Sequence, residues 1–289
     1  MSILEPLKAL EYCEKQVKQK DFATYLHGLF LPYEIRAFFY VIHALRLELV
    51  LAREQILHST LLSTKETWWL ENLDQIWSNN PAQEPISVAL NELRKYHVTR
   101  KSHFERLIKG HFEEPSLTSW RAFDRYIDNN FTMSTYATIE LLHMFKEPEF
   151  NVATYAGRAW GVMELLLRTK YYAEQGRFYF PKELLEKYGI PEGVLREDEK
   201  NNTNVVPEQI FDAVLEVAAY GKSNLEKARE LQGTLPKYCY MAFLNMPTVE
   251  EYYLKLEKRN FNVFESKTNK FFWPKVFIKI GRAARKRTF

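Results

Sequence analysis

The sequence predicts an all-α fold organised as one domain, and three observations carry that prediction. Glycine and proline supply only 22 of 289 residues, a share of about 8 % against an average of roughly 12 %. That is too few for the chain reversals of a β-sandwich or barrel. Helical spacing dominates the apolar pattern. Aromatic residues reach 15 %, and large rings in a turn-poor chain imply a wide helical bundle around a central cavity.

Each element follows from local pattern. Residues 34–57 put Phe38, Ile42, Leu45, Leu49, Ala52 and Ile56 on one stripe by alternating steps of four and three. Val41, Leu47, Val50 and Leu51 fall off that stripe, so the helix is buried on most sides. Ser63 and Glu66 have the spacing of a capping box before TWWLENLDQIW, and Asn79-Asn80-Pro81 ends that helix. Further helices are expected over 85–96, 99–110, 116–146 and 152–173. A short one follows Pro181 and stops at Gly189. Residues 190–206 are polar and read as the longest loop. Pro207 opens a helix to about Gln232, and Thr248 with Glu251 forms a second capping box for a helix to about Arg259. No repeat or linker divides the chain. It reads as one domain over 1–270 followed by a basic amphipathic tail, 271–289.

Composition excludes several classes. Two cysteines, Cys13 and Cys239, cannot build a disulfide scaffold or a Cys-based zinc site. No uncharged apolar run approaches the ~18 to 20 residues of a membrane span. The N-terminus has neither a secretory apolar region nor the Arg- and Ser-rich character of a transit peptide. P-loop, dinucleotide-fold, G-x-S-x-G and H-E-x-x-H motifs are absent, and no two histidines pair at i, i+4. The net charge of +3 conceals an asymmetry: residues 255–289 hold 11 Lys and Arg against 2 Glu. A basic end on an acidic body suits an anionic partner. Nucleic acid is not the expected one, since no recognition module accompanies the charge.

Two segments hold candidate functional residues. Within FLPYEIRAFFYVIHALRLEL, Arg36 follows a Leu-Pro, and Glu48 is a lone carboxylate near the middle of the long helix. With Ala44 and Ala52 one turn away, its charge requires a partner or a shifted pKa. The plainer reading is an ion pair with a neighbouring helix. Within AGRAWGVMELLLRT, Gly157 and Gly161 share a helix face. Each costs about 0.5 to 1 kcal/mol relative to alanine, so the pair implies close approach by a backbone or a ligand. Glu164 and Arg168 follow at i, i+4, where the plainer reading is an ion pair worth a few tenths of a kcal/mol.

The frame of residues 31–52, and that of 157–181 with its GRFYFP run, resembles the squalene/phytoene synthase family. The resemblance implies an all-α, single-domain isoprenoid synthase-like bundle that couples two prenyl diphosphates. The enzymes of that family use two Asp-rich clusters to hold Mg²⁺ on the departing diphosphate. Here the first cluster is reduced to Glu48. At the second, Thr169 stands where an Asp is expected, and Tyr172–Ala173 carries no carboxylate. The spacing from Arg168 to Gly176 is also about one residue short. Arg36, Glu48, Gly157, Gly161, Glu164, Arg168 and Arg177 then read as positions of a vestigial diphosphate pocket, with no catalytic residue, metal or cofactor.

A non-catalytic branch of the family is the nearer likeness, through blocks 11–32, 68–90, 157–169 and 243–265. That resemblance implies a non-enzymatic assembly factor for mitochondrial respiratory complex I. It would act on the matrix side of the inner membrane, with complex I subunits or other assembly factors as partners; without a leader, the cytosol is the other compartment. Two alternatives stand beside it: an isoprenoid or lipid carrier, and a prenyl-diphosphate transferase with a site rebuilt from Glu48, Glu164 and Arg168. In the tail, Trp273, Phe277, Ile280 and Ala284 share a face flanked by Lys275, Lys279, Arg282, Arg285, Lys286 and Arg287. Such a helix suits an anionic membrane interface. The plainer reading is a terminal helix packed on the core.

Overall fold

In the computed structural model, the described residues are 4–56, 58–175, 177–190, 208–265 and 271–289. They contain no strand. The helices are α1 (Pro6–Lys20), α2 (Phe22–Gly28), α3 (Tyr33–Gln55), α4 (Ser59–Trp77), α5 (Pro85–Tyr96) and α6 (Lys101–Phe112). They continue as α7 (Trp120–Ile127), α8 (Met133–Leu141), α9 (Glu147–Glu174), α10 (Lys182–Lys187), α11 (Gln209–Glu230), α12 (Met246–Glu257) and α13 (Trp273–Lys286). Fold class and most helix positions follow the sequence expectation.

Four local expectations need correction. Helix α4 starts at Ser59, so Ser63 lies inside it and its hydroxyl donates back to the Thr60 carbonyl instead of capping. Thr248 is likewise interior, because α12 starts at Met246 after the N-cap Asn245. The expected helix 116–146 is interrupted: a π-turn, Asp128–Thr132, joins α7 to α8, and the chain reverses at Leu142–Lys146 with His143 left-handed at φ 56°. Helix α9 begins five residues before the expected 152, because Pro148 fits its first turn and the Glu149 carboxylate accepts from the Lys146 N–H at 2.7 Å. Apart from Ile190, the expected loop 190–206 lies outside the described residues, as do Pro207 and Gly176.

Two apolar bodies meet in the middle of the bundle. One gathers α1, α3, α4, α5, α6 and α8 around fully buried residues such as Phe39, Leu45, Trp69 and Phe104. The other gathers α7, α9, α10, α11 and α12 around Phe123, Trp160, Phe180 and Phe243. A smaller third cluster joins α2 to α13 through Leu26, Leu244, Val276 and Ile280. Helices α3 and α9 face each other across the centre.

The glycines of α9 show how tightly that centre is packed. A Cβ on Gly157 would sit 2.8 Å from the Thr132 Cα, and one on Gly161 2.6 Å from the Ile127 Cγ2. Real Cβ atoms do not approach so closely, so the close approach predicted from the spacing is packing of α9 against the end of α7 and the π-turn, through Ile127, Phe131 and Thr132. The extra residue of a π-turn bulges the helix, and the glycines make room for it.

Candidate functional site

The interior between α3 and α9 holds a buried network of charges. Arg46 on α3 is 1 % exposed, and its Nη2 donates to the Asp21 Oδ2 at 2.7 Å. Asp21 is fixed by its own role as N-cap of α2, accepting from the Thr24 N–H at 3.0 Å and the Thr24 hydroxyl at 2.8 Å. The Arg46 guanidinium lies 4.7 Å from the Trp160 ring centre and 5.9 Å from that of Phe131, within cation–π range. Two aromatic faces, a carboxylate and a cap together hold a charge at the heart of the bundle.

Two turns along α9 from Trp160, Arg168 repeats the arrangement. Its Nη1 donates to the Glu54 Oε1 at 2.6 Å, and its Nε lies 3.8 Å from the Glu164 Oε2. The Tyr172 hydroxyl donates to the same Glu54 oxygen at 3.4 Å, and the Trp160 indole N–H donates to Glu164 at 3.3 Å. Burial pushes the Glu164 carboxyl above the usual carboxylate range, and the nearby Asp21 charge pushes in the same direction. Burial alone would lower the Arg168 pKa, but Glu164, Tyr172 and Glu54 outweigh it and raise the value. A third guanidinium repeats the pattern: Arg158 on α9 clasps Asp124 at 2.9 Å and Asp128 at 2.7 Å.

Three buried histidines, His27, His43 and His111, add no charge. Burial depresses His27 to about 4 even though its Nε2 donates to the Met241 carbonyl at 2.7 Å. Burial takes His111 to about 3. His43 is lowered by burial and then by Arg46. All three are neutral near pH 7.

The predicted site residues are only partly brought together. Glu164 and Arg168 meet as an ion pair. Glu48 does not join them: it pairs with Lys65 of α4 at 3.2 Å and is one-third exposed, which is the plainer of its two readings. The reason is angular. Arg46 and Glu48 flank the apolar stripe on opposite edges of α3: the Arg46 edge meets Asp21, Trp160 and Phe131, and the Glu48 edge meets Lys65 of α4. Arg36 donates to the Leu29 and Leu31 carbonyls at 3.0 and 3.1 Å, and so secures the turn before α3. Arg177 lines a cleft beside Glu54, His111, Tyr172 and Tyr179 whose volume is only about 30 Å³, room for one or two water molecules. Asp21, Arg46 and Glu54 were missed by sequence reasoning. An arginine amid an apolar run, on a helix expected to be buried on most sides, was the available signal for Arg46.

These acids do not fit a magnesium cluster. Such a site needs several carboxylate oxygens turned to one point with room for water. Here Asp21, Glu54 and Glu164 each face a guanidinium, and among the described residues no three His, Cys, Asp or Glu side chains are grouped to hold a metal ion. The arrangement ties α1, α2, α3 and α9 together.

The tail residues also divide. Val276 and Ile280 are buried, and the Trp273 ring packs edge-on to Phe22 at 5.2 Å. Lys275 and Lys279 both pair with Glu251 at 2.6 Å. The apolar stripe that could have met a membrane is thus largely used against the body, because α2 and Leu244 present apolar side chains to it. Phe277 contacts Phe30 at 5.2 Å yet stays 44 % exposed, and Arg282 and Arg285 are exposed.

Comparison with known proteins agrees with this architecture. The chain is 24 % identical over 257 residues to the Bos taurus protein named NADH dehydrogenase (ubiquinone) complex I, assembly factor 6, covering 88 % of this chain and 75 % of that one. The Homo sapiens protein of the same name is 22 % identical over the same share. A homolog in Dictyostelium discoideum is 24 % identical, over 87 % of this chain and 70 % of that one. Among solved structures, a dehydrosqualene synthase in complex with ligand superposes with a TM-score of 0.81 at 15 % identity, covering 97 % of this chain and 98 % of that one. A squalene synthase from Alicyclobacillus acidocaldarius gives 0.74 at 14 % identity, over 89 % and 96 %. At such identities the superpositions establish the fold alone. The squalene/phytoene synthase model matches residues 17–275, and the chain therefore belongs to that family.

Proposed function

We propose that this protein is a non-enzymatic assembly factor for mitochondrial respiratory complex I, built on a squalene/phytoene synthase fold and acting on the matrix side of the inner membrane. The observation that carries the reading is the pairing of the interior acids with guanidinium groups. A prenyl-diphosphate enzyme must leave carboxylates free for metal and cations free for the departing diphosphate. Here Asp21, Glu54 and Glu164 are each engaged by Arg46 or Arg168. The likeness to proteins named complex I assembly factor 6 supplies the biological process. A protein of this kind acts by contact, with complex I subunits or other assembly factors as partners.

The test has two arms. Cells lacking the protein should accumulate less mature complex I on native gels, and the gene supplied back should restore it. Purified protein with Mg²⁺ should release no diphosphate from farnesyl or geranylgeranyl diphosphate. Normal complex I without the protein would remove the assembly role. Turnover that disappears in an Arg168→Gln variant would replace it with an active transferase.

A further inference from the structure

Helix α13 shows solvent a face that its own body does not use. Val276 and Ile280 point into the fold. Pro274, Ile278, Arg282 and Arg285 follow one another by steps of four, four and three, so they share the opposite face. Ile278 is 52 % exposed there, Phe277 on the flank beside it stays 44 % exposed, and Phe272, just before the helix, is 70 % exposed. Arg282, Arg285, Lys286 and Arg287 are exposed and, among the described residues, make no ion pair.

A groove of about 360 Å³ between α12 and α13 continues this surface. Leu254, Phe272 and four lysines (Lys255, Lys258, Lys275 and Lys279) line it, and Glu251 is the one carboxylate among them. Burial, and then the neighbouring Arg259, push the Lys255 pKa down, as expected where cations crowd. Exposed rings set among excess cations fit neither plain solvent nor an apolar partner. They fit an interface that is anionic at its surface and oily beneath.

We propose that the outer face of α13 and the adjoining groove bind an anionic phospholipid surface. Phe272, Phe277 and Ile278 enter the headgroup boundary, and Arg282, Arg285, Lys286 and Arg287 meet the phosphates. The chain lies on the bilayer by this face, and no described helix is long and apolar enough to cross it. The inference stands on this surface and not on the assembly role, and vesicle binding is measured without complex I, so either can fail alone.

The experiment is flotation of the full chain with phosphatidylcholine vesicles, with and without cardiolipin. Binding is expected only with cardiolipin, and it should weaken as salt rises. Arg282→Gln with Arg285→Gln should lower partitioning at least about tenfold. Phe277→Ser with Ile278→Ser should lower it similarly, and both double variants should keep the parent melting temperature. Equal binding to both vesicle types, or double variants that float like the parent, would overturn the proposal. Binding that inorganic phosphate displaces and the serine variant retains would mean a phosphate site and not a membrane face. Capture by polyglutamate with no vesicle binding would assign the face to an acidic protein and overturn the proposal equally.

Discussion

Arg46 and Arg285 carry the same guanidinium in opposite settings. Arg46 is 1 % exposed, bonded to Asp21 and covered by Trp160 and Phe131. Arg285 is exposed on α13 with no acid paired to it among the described residues. The first charge is consumed by cohesion, because a desolvated cation is tolerable only with its counter-ion in place. The second costs the fold little and stays available to something outside it. Interior substitutions should therefore change stability before they change partnership, and tail substitutions should do the reverse.

The sharpest way to break that comparison is Arg46→Leu. It strands the Asp21 carboxylate in the interior, and the expected loss is roughly 3 to 5 kcal/mol by urea denaturation. Adding Asp21→Asn should recover part of it. A variant as stable as the parent would mean that the network does not hold the helices together.

Acidification is the next largest effect. His27 is kept neutral in the fold, with its pKa near 4 against the ordinary 6.5. A depressed folded-state value means that the stabilisation is fully present above the ordinary value. It is lost as pH falls, because the unfolded chain takes up the proton first. At about 1.4 kcal/mol per unit, the loss from His27 alone is on the order of 3 kcal/mol. Melting curves from neutral to mildly acidic pH should fall accordingly, and a His27→Gln variant should fall less.

Glu164 has the opposite sign. Its raised value makes the buried charge more costly as pH climbs through and above the ordinary carboxylate range. Glu164→Gln should therefore gain on the parent as pH rises. A constant difference across pH would mean that Glu164 is as well solvated in the fold as in the unfolded chain.

Smaller again is Gly161→Leu, expected to cost roughly 1 to 3 kcal/mol through collision with Ile127 and Phe131. A higher melting temperature would contradict the close approach. At the bottom of the scale, Phe277→Ser with Ile278→Ser should change stability by no more than about 0.5 kcal/mol, although vesicle binding is expected to fall.

The bundle was legible because apolar spacing reports burial directly. Helix α5 was delimited correctly by Pro85 and by its amphipathic run to Tyr96. The break at 128–132 was not read, since a π-turn continues the helix and no glycine or proline marks it, although Asp128, Asn129 and Asn130 are weak helix formers. The reversal at His143 also uses residues without turn preference.

At the site, Glu164, Arg168 and the two glycines could be read from spacing along one helix. Glu54 and Asp21 could not, because their meaning depends on which helix faces them. Glu48 attracted attention as the one carboxylate near the middle of its helix, whereas Arg46, two residues earlier on the other edge of the stripe, is the one that meets Asp21 and Trp160. The tail shows the same limit. Its amphipathic pattern is visible in sequence, but only the position of α2 and Leu244 determines which face is spent on packing.

The central claim is that the interior charges serve the fold and that the protein acts through its surface. The most direct test supplies Arg168→Gln, alone and with Glu54→Gln to remove the stranded partner, to cells lacking the protein. Expression is adjusted to equal abundance, and assembled complex I is measured on native gels. The account predicts that the double variant restores assembly to the level of the unmodified protein, and that the single variant does so in proportion to its folded amount. A double variant that is folded, abundant and unable to restore complex I would contradict it, and would return the pocket between α3 and α9 to a ligand-binding or catalytic role.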